Sequence, residues 1–114
     1  MALVYKILGA AEWRAAETAG VFGGSGVDLS DGYIHFSTAA QAPETAAKWF
    51  SGRGDLMLVA VETESLGAQL RWEISRGGQK FPHLYAELPL SAVVWARALP
   101  LSADGRHDFG GLAP

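Results

Sequence analysis

Two stretches of the chain concentrate the side chains that can move protons or grip anions: Asp31 to Thr38 (DGYIHFST) and Arg71 to Glu87 (RWEISRGGQKFPHLYAE). The first offers His35 with Asp31, Tyr33, Ser37 and Thr38 around it. The second offers Glu73, Arg76, His83, Tyr85 and Glu87. An imidazole donates and accepts hydrogen bonds at once, which suits a ribose hydroxyl or a carbonyl, and a carboxylate serves as a general base or steadies a developing cation. In Ser75-Arg76-Gly77-Gly78 a guanidinium that forks onto phosphate or carboxylate adjoins Gly77 and Gly78, which let backbone N–H groups approach a ligand. The run is not a P-loop, and no GxGxxG occurs. A helix starting after Ser37-Thr38 would also attract an anion to its N-terminus.

Strand parity decides whether these residues can meet, because alternate side chains share a face. Tyr33, His35 and Ser37 fall on one face of a strand, opposite Ile34 and Phe36. Arg71, Glu73 and Ser75 oppose Leu70, Trp72 and Ile74. His83, Tyr85 and Glu87 oppose Leu84, Ala86 and Leu88. The plain alternative is the wet face of an antiparallel sheet. Such faces are usually rich in Lys, Thr and Glu, whereas two histidines, two tyrosines and two glutamates are the palette of a site. His35, Glu73 and His83 are the expected catalytic set. Asp31, Tyr33, Ser37, Thr38, Arg76, Gly77, Gly78, Tyr85 and Glu87 are the expected ligand contacts. Asp28 reads as a turn cap, His107 as surface, and Trp72 and Trp95 as core.

The elements that must position these groups follow from local pattern. Ala2 to Leu8 reads as a strand. Ala10 to Ala19 reads as a helix stopped by Gly20. Gly20 to Gly32, with its glycines and aspartates, reads as a loop. Tyr33 to Ser37 is a strand, after which Thr38 and Gln41 stand in capping-box spacing before a helix over Ala42 to Phe50, with Pro43 early in it. Leu56 to Val61 is a continuous apolar run typical of a buried strand. Glu62 to Gly67 turns the chain. Leu70 to Ser75 alternates as a half-buried strand, and Pro82 starts another over His83 to Leu88. Ala92 to Leu99 is the last strand, and Pro100 to Pro114 a loose tail. About six strands and two helices in a single domain over residues 1–114 make an α+β fold.

Composition narrows the function. The 114 residues, 49% hydrophobic, fit one globular domain. A net charge of −3 argues against non-specific nucleic-acid binding. The absence of cysteine excludes thiolate chemistry and disulfides, and three histidines without an HExxH pair give no expectation of a metal. No apolar run is long enough for a membrane span. Lys6 and Glu12 come too early for a secretory signal, so the expectation is a soluble cytoplasmic protein.

Tyr5-Lys6-Ile7, Glu12-Trp13, Ser25 with Asp28, the run Asp31 to Ala39 with Gln41, Trp72-Glu73, Ser75 to Gly78 and Phe81 to Tyr85 together resemble a family of small bacterial proteins catalogued as domain of unknown function 952. That family is thought to be similar to the ADP-ribosyltransferase superfamily. The resemblance implies a split or strongly curved, mostly antiparallel sheet with NAD or an ADP-ribose-like nucleotide in its cleft. It implies His35 at the nicotinamide ribose with Ser37 and Thr38 nearby, Glu73 or Glu87 as the acid, and Arg76 at a phosphate. The mid-chain tyrosine of that superfamily has no clear counterpart, since Tyr85 comes late. Two functions follow as expectations: an ADP-ribosyl transferase or hydrolase using NAD as substrate, or a non-catalytic module that binds a small anionic ligand or a peptide end.

Overall fold

The computed structural model describes residues 2–112, with Arg76 described through its backbone alone. The chain runs β1 (Leu3–Gly9), α1 (Ala10–Ala19), β2 (Val21–Phe22), α2 (Val27–Asp31), β3 (Ile34–His35), α3 (Ala42–Trp49), β4 (Leu56–Glu62), β5 (Leu70–Ile74), β6 (Lys80–Leu84), β7 (Leu88–Pro89) and β8 (Val93–Leu99), with short 3-10 segments before β5, between β5 and β6, and before β8. Every strand pair is antiparallel. This is the α+β fold expected, with more short elements than the sequence suggested.

One three-stranded sheet has the order β1-β4-β8, another the order β3-β6-β5, and β2 pairs with β7. β4 is central in the first. Leu58, Val59, Ala60 and Val61 are fully buried, which is why the strand reads as an unbroken apolar run: both faces are covered. On one face Val59 and Val61 pack with Trp13, Phe22, Ile34, Leu84 and Leu88; on the other Leu58 and Ala60 pack with Tyr5, Ala46 and Leu99.

The two larger sheets meet at one point. Tyr5 and Ser37 exchange both backbone hydrogen bonds, at 2.8 and 2.9 Å. Past that bridge the antiparallel register would set Ile7 against His35, yet no further β1–β3 pair forms among the described residues. The sheet splits there, and the split makes a cleft.

Local chemistry explains the framing helices. α1 ends where Gly20 turns to a φ of 83°, its N–H donating to Ala16 O. Ahead of α3, Thr38 N–H donates to Gln41 Oε1 while Gln41 N–H donates to Thr38 Oγ1, a reciprocal box. Several expectations are corrected. The stretch Gly20–Gly32 is not a bare loop, because Val21–Phe22 pairs with Leu88–Pro89 and Val27–Asp31 winds into a helical turn. Pro82 lies inside β6, not at the start of a strand. Its carbonyl accepts from Phe36 N–H, and its missing N–H costs a rung only where β3 has already ended. Tyr85 to Glu87 leaves the sheet after Leu84, so the strand does not extend to Leu88. Trp72 is 46% exposed on the edge strand β5, and Trp95 is half-buried against Tyr5; neither is the core residue expected. The segment after β8 folds back: Leu101 bridges His107, and Phe109 and Leu112 pack against the second core cluster.

Candidate functional site

β3 and β6 run side by side with His35 opposite His83, and β5 adds Arg71 opposite His83 and Glu73 opposite Phe81. One sheet face therefore carries both histidines and Glu73, as parity required. His83 Nδ1 lies 2.9 Å from Glu73 Oε1, and the Tyr85 hydroxyl donates to the same oxygen at 2.6 Å. A carboxylate only accepts, so His83 carries a proton on Nδ1. The Tyr33 ring stacks on His83 at 4.2 Å and touches the rings of His35 (4.6 Å) and Tyr85 (5.1 Å), while the two imidazoles stand edge to face at 5.5 Å. The Arg71 guanidinium covers the Tyr85 ring.

His35 is anchored from the other side. Its Nδ1 is 2.6 Å from Asp28 Oδ1 and its Nε2 is 2.9 Å from Asp31 Oδ2, so a ring with protons on both nitrogens donates to both carboxylates. Asp28 is buried. It also accepts from Lys6 Nζ (2.8 Å to Oδ2), from Ser25 N–H and from His35 N–H. Burial alone would push its carboxyl up, but the His35 hydrogen bond and the Lys6 ammonium prevail and hold it down to about 2. Burial lowers the Lys6 ammonium from its ordinary value, opposed by Asp28. Hydrogen bonds from Tyr85 and then His83 keep the Glu73 carboxyl below the usual range, and the same bond raises the Tyr85 phenol. Burial, then the charges of Asp31 and Glu73, raise the Tyr33 phenol.

The cleft beside these groups has a volume of about 500 Å³. Tyr33, His35, His83 and Phe81 line it, together with Trp49, Phe50 and Arg53 from the end of α3 and the turn after it. Of the expected contacts, Asp31, Tyr33, His35, Ser37 and His83 lie on the cleft wall, and Glu73 and Tyr85 act on it through His83 and Tyr33. Ser37 Oγ bonds Thr45 Oγ1. Thr38 is taken up in the capping box. Gly77 and Gly78 form the exposed β5–β6 turn and do not line the cleft; the side chain of Arg76 lies outside what the structure describes. Glu87 points elsewhere, with its carboxylate beside Gly23. Among the described residues no three metal-ligating side chains gather as a metal site.

Sequence reasoning missed Lys6, and saw in Asp28 only the turn cap, a role it does fill through Ser25 N–H. The signal for Lys6 was available: a lysine inside the apolar strand LVYKILG needs a buried counter-charge. Trp49 and Arg53 were also missed, being spaced four apart where the helix ends.

A family model described as protein of unknown function (DUF952) matches residues 7–96. The crystal structure of protein CC0527 from Caulobacter crescentus is 56% identical, with 95% of each chain covered and a TM-score of 0.90. Its solution NMR structure, 56% identical over 96% of this chain and 95% of that one, gives a TM-score of 0.86. No curated protein matches the chain.

Proposed function

This chain belongs to the family of proteins of unknown function DUF952, and we propose that its cleft binds NAD or an ADP-ribose-like nucleotide and transfers or hydrolyses the ADP-ribosyl group. The observation that carries this reading is the Glu73–His83 pair, whose remaining ring nitrogen belongs to a residue on the wall of an aromatic-lined cleft. In the reaction the C1′–N bond breaks and its electron pair leaves with nicotinamide. A C1′–O bond forms to water or an acceptor hydroxyl, whose proton passes to His83 Nε2. Glu73 then steadies the imidazolium, as an orienting carboxylate does in a hydrolytic triad. Asp31 on the cleft wall faces the positive charge that develops on the ribose. Elsewhere on the wall Trp49 and Phe50 offer faces for a nucleobase, and Arg53, which also pairs with Asp55 at 3.3 Å, offers a fork for a phosphate. The split sheet fits the resemblance to the ADP-ribosyltransferase superfamily, with Glu73 rather than Glu87 as the acid near the site.

Calorimetry with NAD, ADP-ribose and 2′-phosphorylated RNA, followed by chromatography for released nicotinamide, tests the proposal. Binding with turnover that His83→Gln abolishes is expected. No heat with any of the three ligands would sink it. A second reading, a module that holds a small anionic ligand without chemistry, is favoured by one observation: both ring nitrogens of His35 already meet carboxylates of the chain itself. Under that reading ligand binding survives Glu73→Gln and nothing is consumed.

A further inference from the structure

β5 is an outer strand. It pairs with β6 on one side and, among the described residues, with no strand on the other. The direction of its backbone groups follows from β6. Pro82 presents its carbonyl to Phe36, on the β3 side, so even-numbered residues of β6 face β3 and odd-numbered ones face β5. The register then makes Arg71–His83 and Glu73–Phe81 the hydrogen-bonded pairs. The N–H and C=O of Trp72 and Ile74 consequently point away from β6, at the open edge. The side chains of these two residues share the face of Leu70 and Leu84, which is core-facing further in, but at the open edge they stand 46% and 71% exposed. A strand that offers free rungs together with a bare tryptophan and isoleucine is a template for another strand. The opposite outer strand, β8, carries the returning C-terminal segment, where Arg97 donates to the Phe109 carbonyl.

We propose that the occupant of this edge is a second copy of the chain, paired antiparallel with β5 about a two-fold axis at Trp72. The sequence of the strand selects that partner. In Leu70-Arg71-Trp72-Glu73-Ile74, a two-fold at the centre sets Arg71 opposite Glu73 of the partner subunit and Glu73 opposite the partner's Arg71, with Leu70 against the partner's Ile74 on the other face. Trp72 and its symmetry mate form the hydrogen-bonded pair. The two Arg–Glu pairs fall at the non-hydrogen-bonded positions, where facing side chains come closest. A closed, self-complementary contact of this kind ends at two copies. It also completes the site, because the carboxylate that orients His83 gains a guanidinium from the other subunit.

Sedimentation equilibrium of the whole chain over a wide concentration range is the test. The mass should rise from that of one chain, 12.1 kDa, toward twice that value. Trp72→Lys and Ile74→Lys should each hold it at one chain. Arg71→Glu should do the same by facing two carboxylates, and Arg71→Glu combined with Glu73→Arg should restore the pair. Amide exchange on the unaltered protein gives an independent reading, should a variant fail to fold. The Arg71 and Glu73 amides, already in the β5–β6 ladder, should be protected at every concentration, and the Trp72 and Ile74 amides only as the dimer forms. A single chain mass throughout, a dimer that survives Trp72→Lys and Ile74→Lys, or Trp72 exchange that ignores concentration would each overturn the proposal.

Discussion

Replacing Asp28 by Asn probes the polar centre most directly. The Asp28 side chain is 1% exposed and bonds the Lys6 ammonium, the His35 ring, the His35 N–H and the Ser25 N–H. An amide keeps one acceptor oxygen for His35 but turns its NH2 toward Ser25 N–H and Lys6, donor against donor. Lys6 is then a buried charge without its counter-ion, a loss of about 3–5 kcal/mol. Titration supplies a second magnitude. The carboxyl falls from an unfolded value of 3.8 to about 2 in the fold, and at 1.36 kcal/mol per unit that difference is worth about 2.5 kcal/mol. For a carboxyl depressed by folding, this stability is present above pH 4 and is lost as the pH falls through about 2. Urea denaturation followed by circular dichroism should give Asp28→Asn a deficit of about 3 kcal/mol at pH 7, with a thermal midpoint lower by about 10 °C. Between pH 4 and pH 2 the variant should lose less stability than the parent. Lys6→Met added to Asp28→Asn should recover part of the loss, because the orphaned charge is then gone. A deficit below about 1 kcal/mol, with parent and variant equally steep in acid, would refute the view that this carboxylate holds the two strands of the cleft.

Tyr85→Phe removes the first of the two hydrogen bonds that hold down the Glu73 carboxyl, so its titration, followed by carbon NMR, should move up toward the ordinary range. Leu58, fully buried at the centre of β4, should cost about 2–5 kcal/mol when replaced by Ala, read by denaturant unfolding. Gly20→Ala places a Cβ at a φ of 83°, where nothing clashes but the left-handed backbone is strained, and should lower stability by about 1 kcal/mol. His83→Gln should remove nicotinamide release in a chain whose circular dichroism shows it still folded, with a lowered thermal midpoint from the lost Glu73 bond and Tyr33 stack.

What was legible in the sequence was legible for local reasons. α1 could be read from its Ala/Glu content and the glycine that stops it, β4 from a burial that leaves no polar position, and the Thr38–Gln41 box from its spacing alone. Parity placed His35, His83 and Glu73 on one face before any pairing was known, and the register joined them. Other features depend on distant partners. Val21–Phe22 is a strand only because Leu88–Pro89 lies beside it, and a two-residue pair has no periodicity of its own. Trp72 resembles a core residue by type, yet its strand lies at an edge, where the core has run out beneath it. Glu87 was assigned by extending a strand that ends at Leu84, and parity means nothing once the strand has stopped. Lys6 could be placed only after Asp28, 22 residues away, was seen to meet it.

The parting of β1 from β3 has a consequence for selectivity. Tyr5 turns its peptide groups toward Ser37, so Ile7, two residues on, turns its N–H and C=O the same way, into the gap where no strand answers. That stretch of main chain is a ruler with a donor and an acceptor at fixed separation. Under the proposed role, an amide-bearing guest would find both groups along this edge of β1. Under the proposed ligand-binding role, no side-chain replacement at Ile7 would erase such a contact, so that part of the cleft's preference would follow the course of the backbone and persist while the residues around it vary.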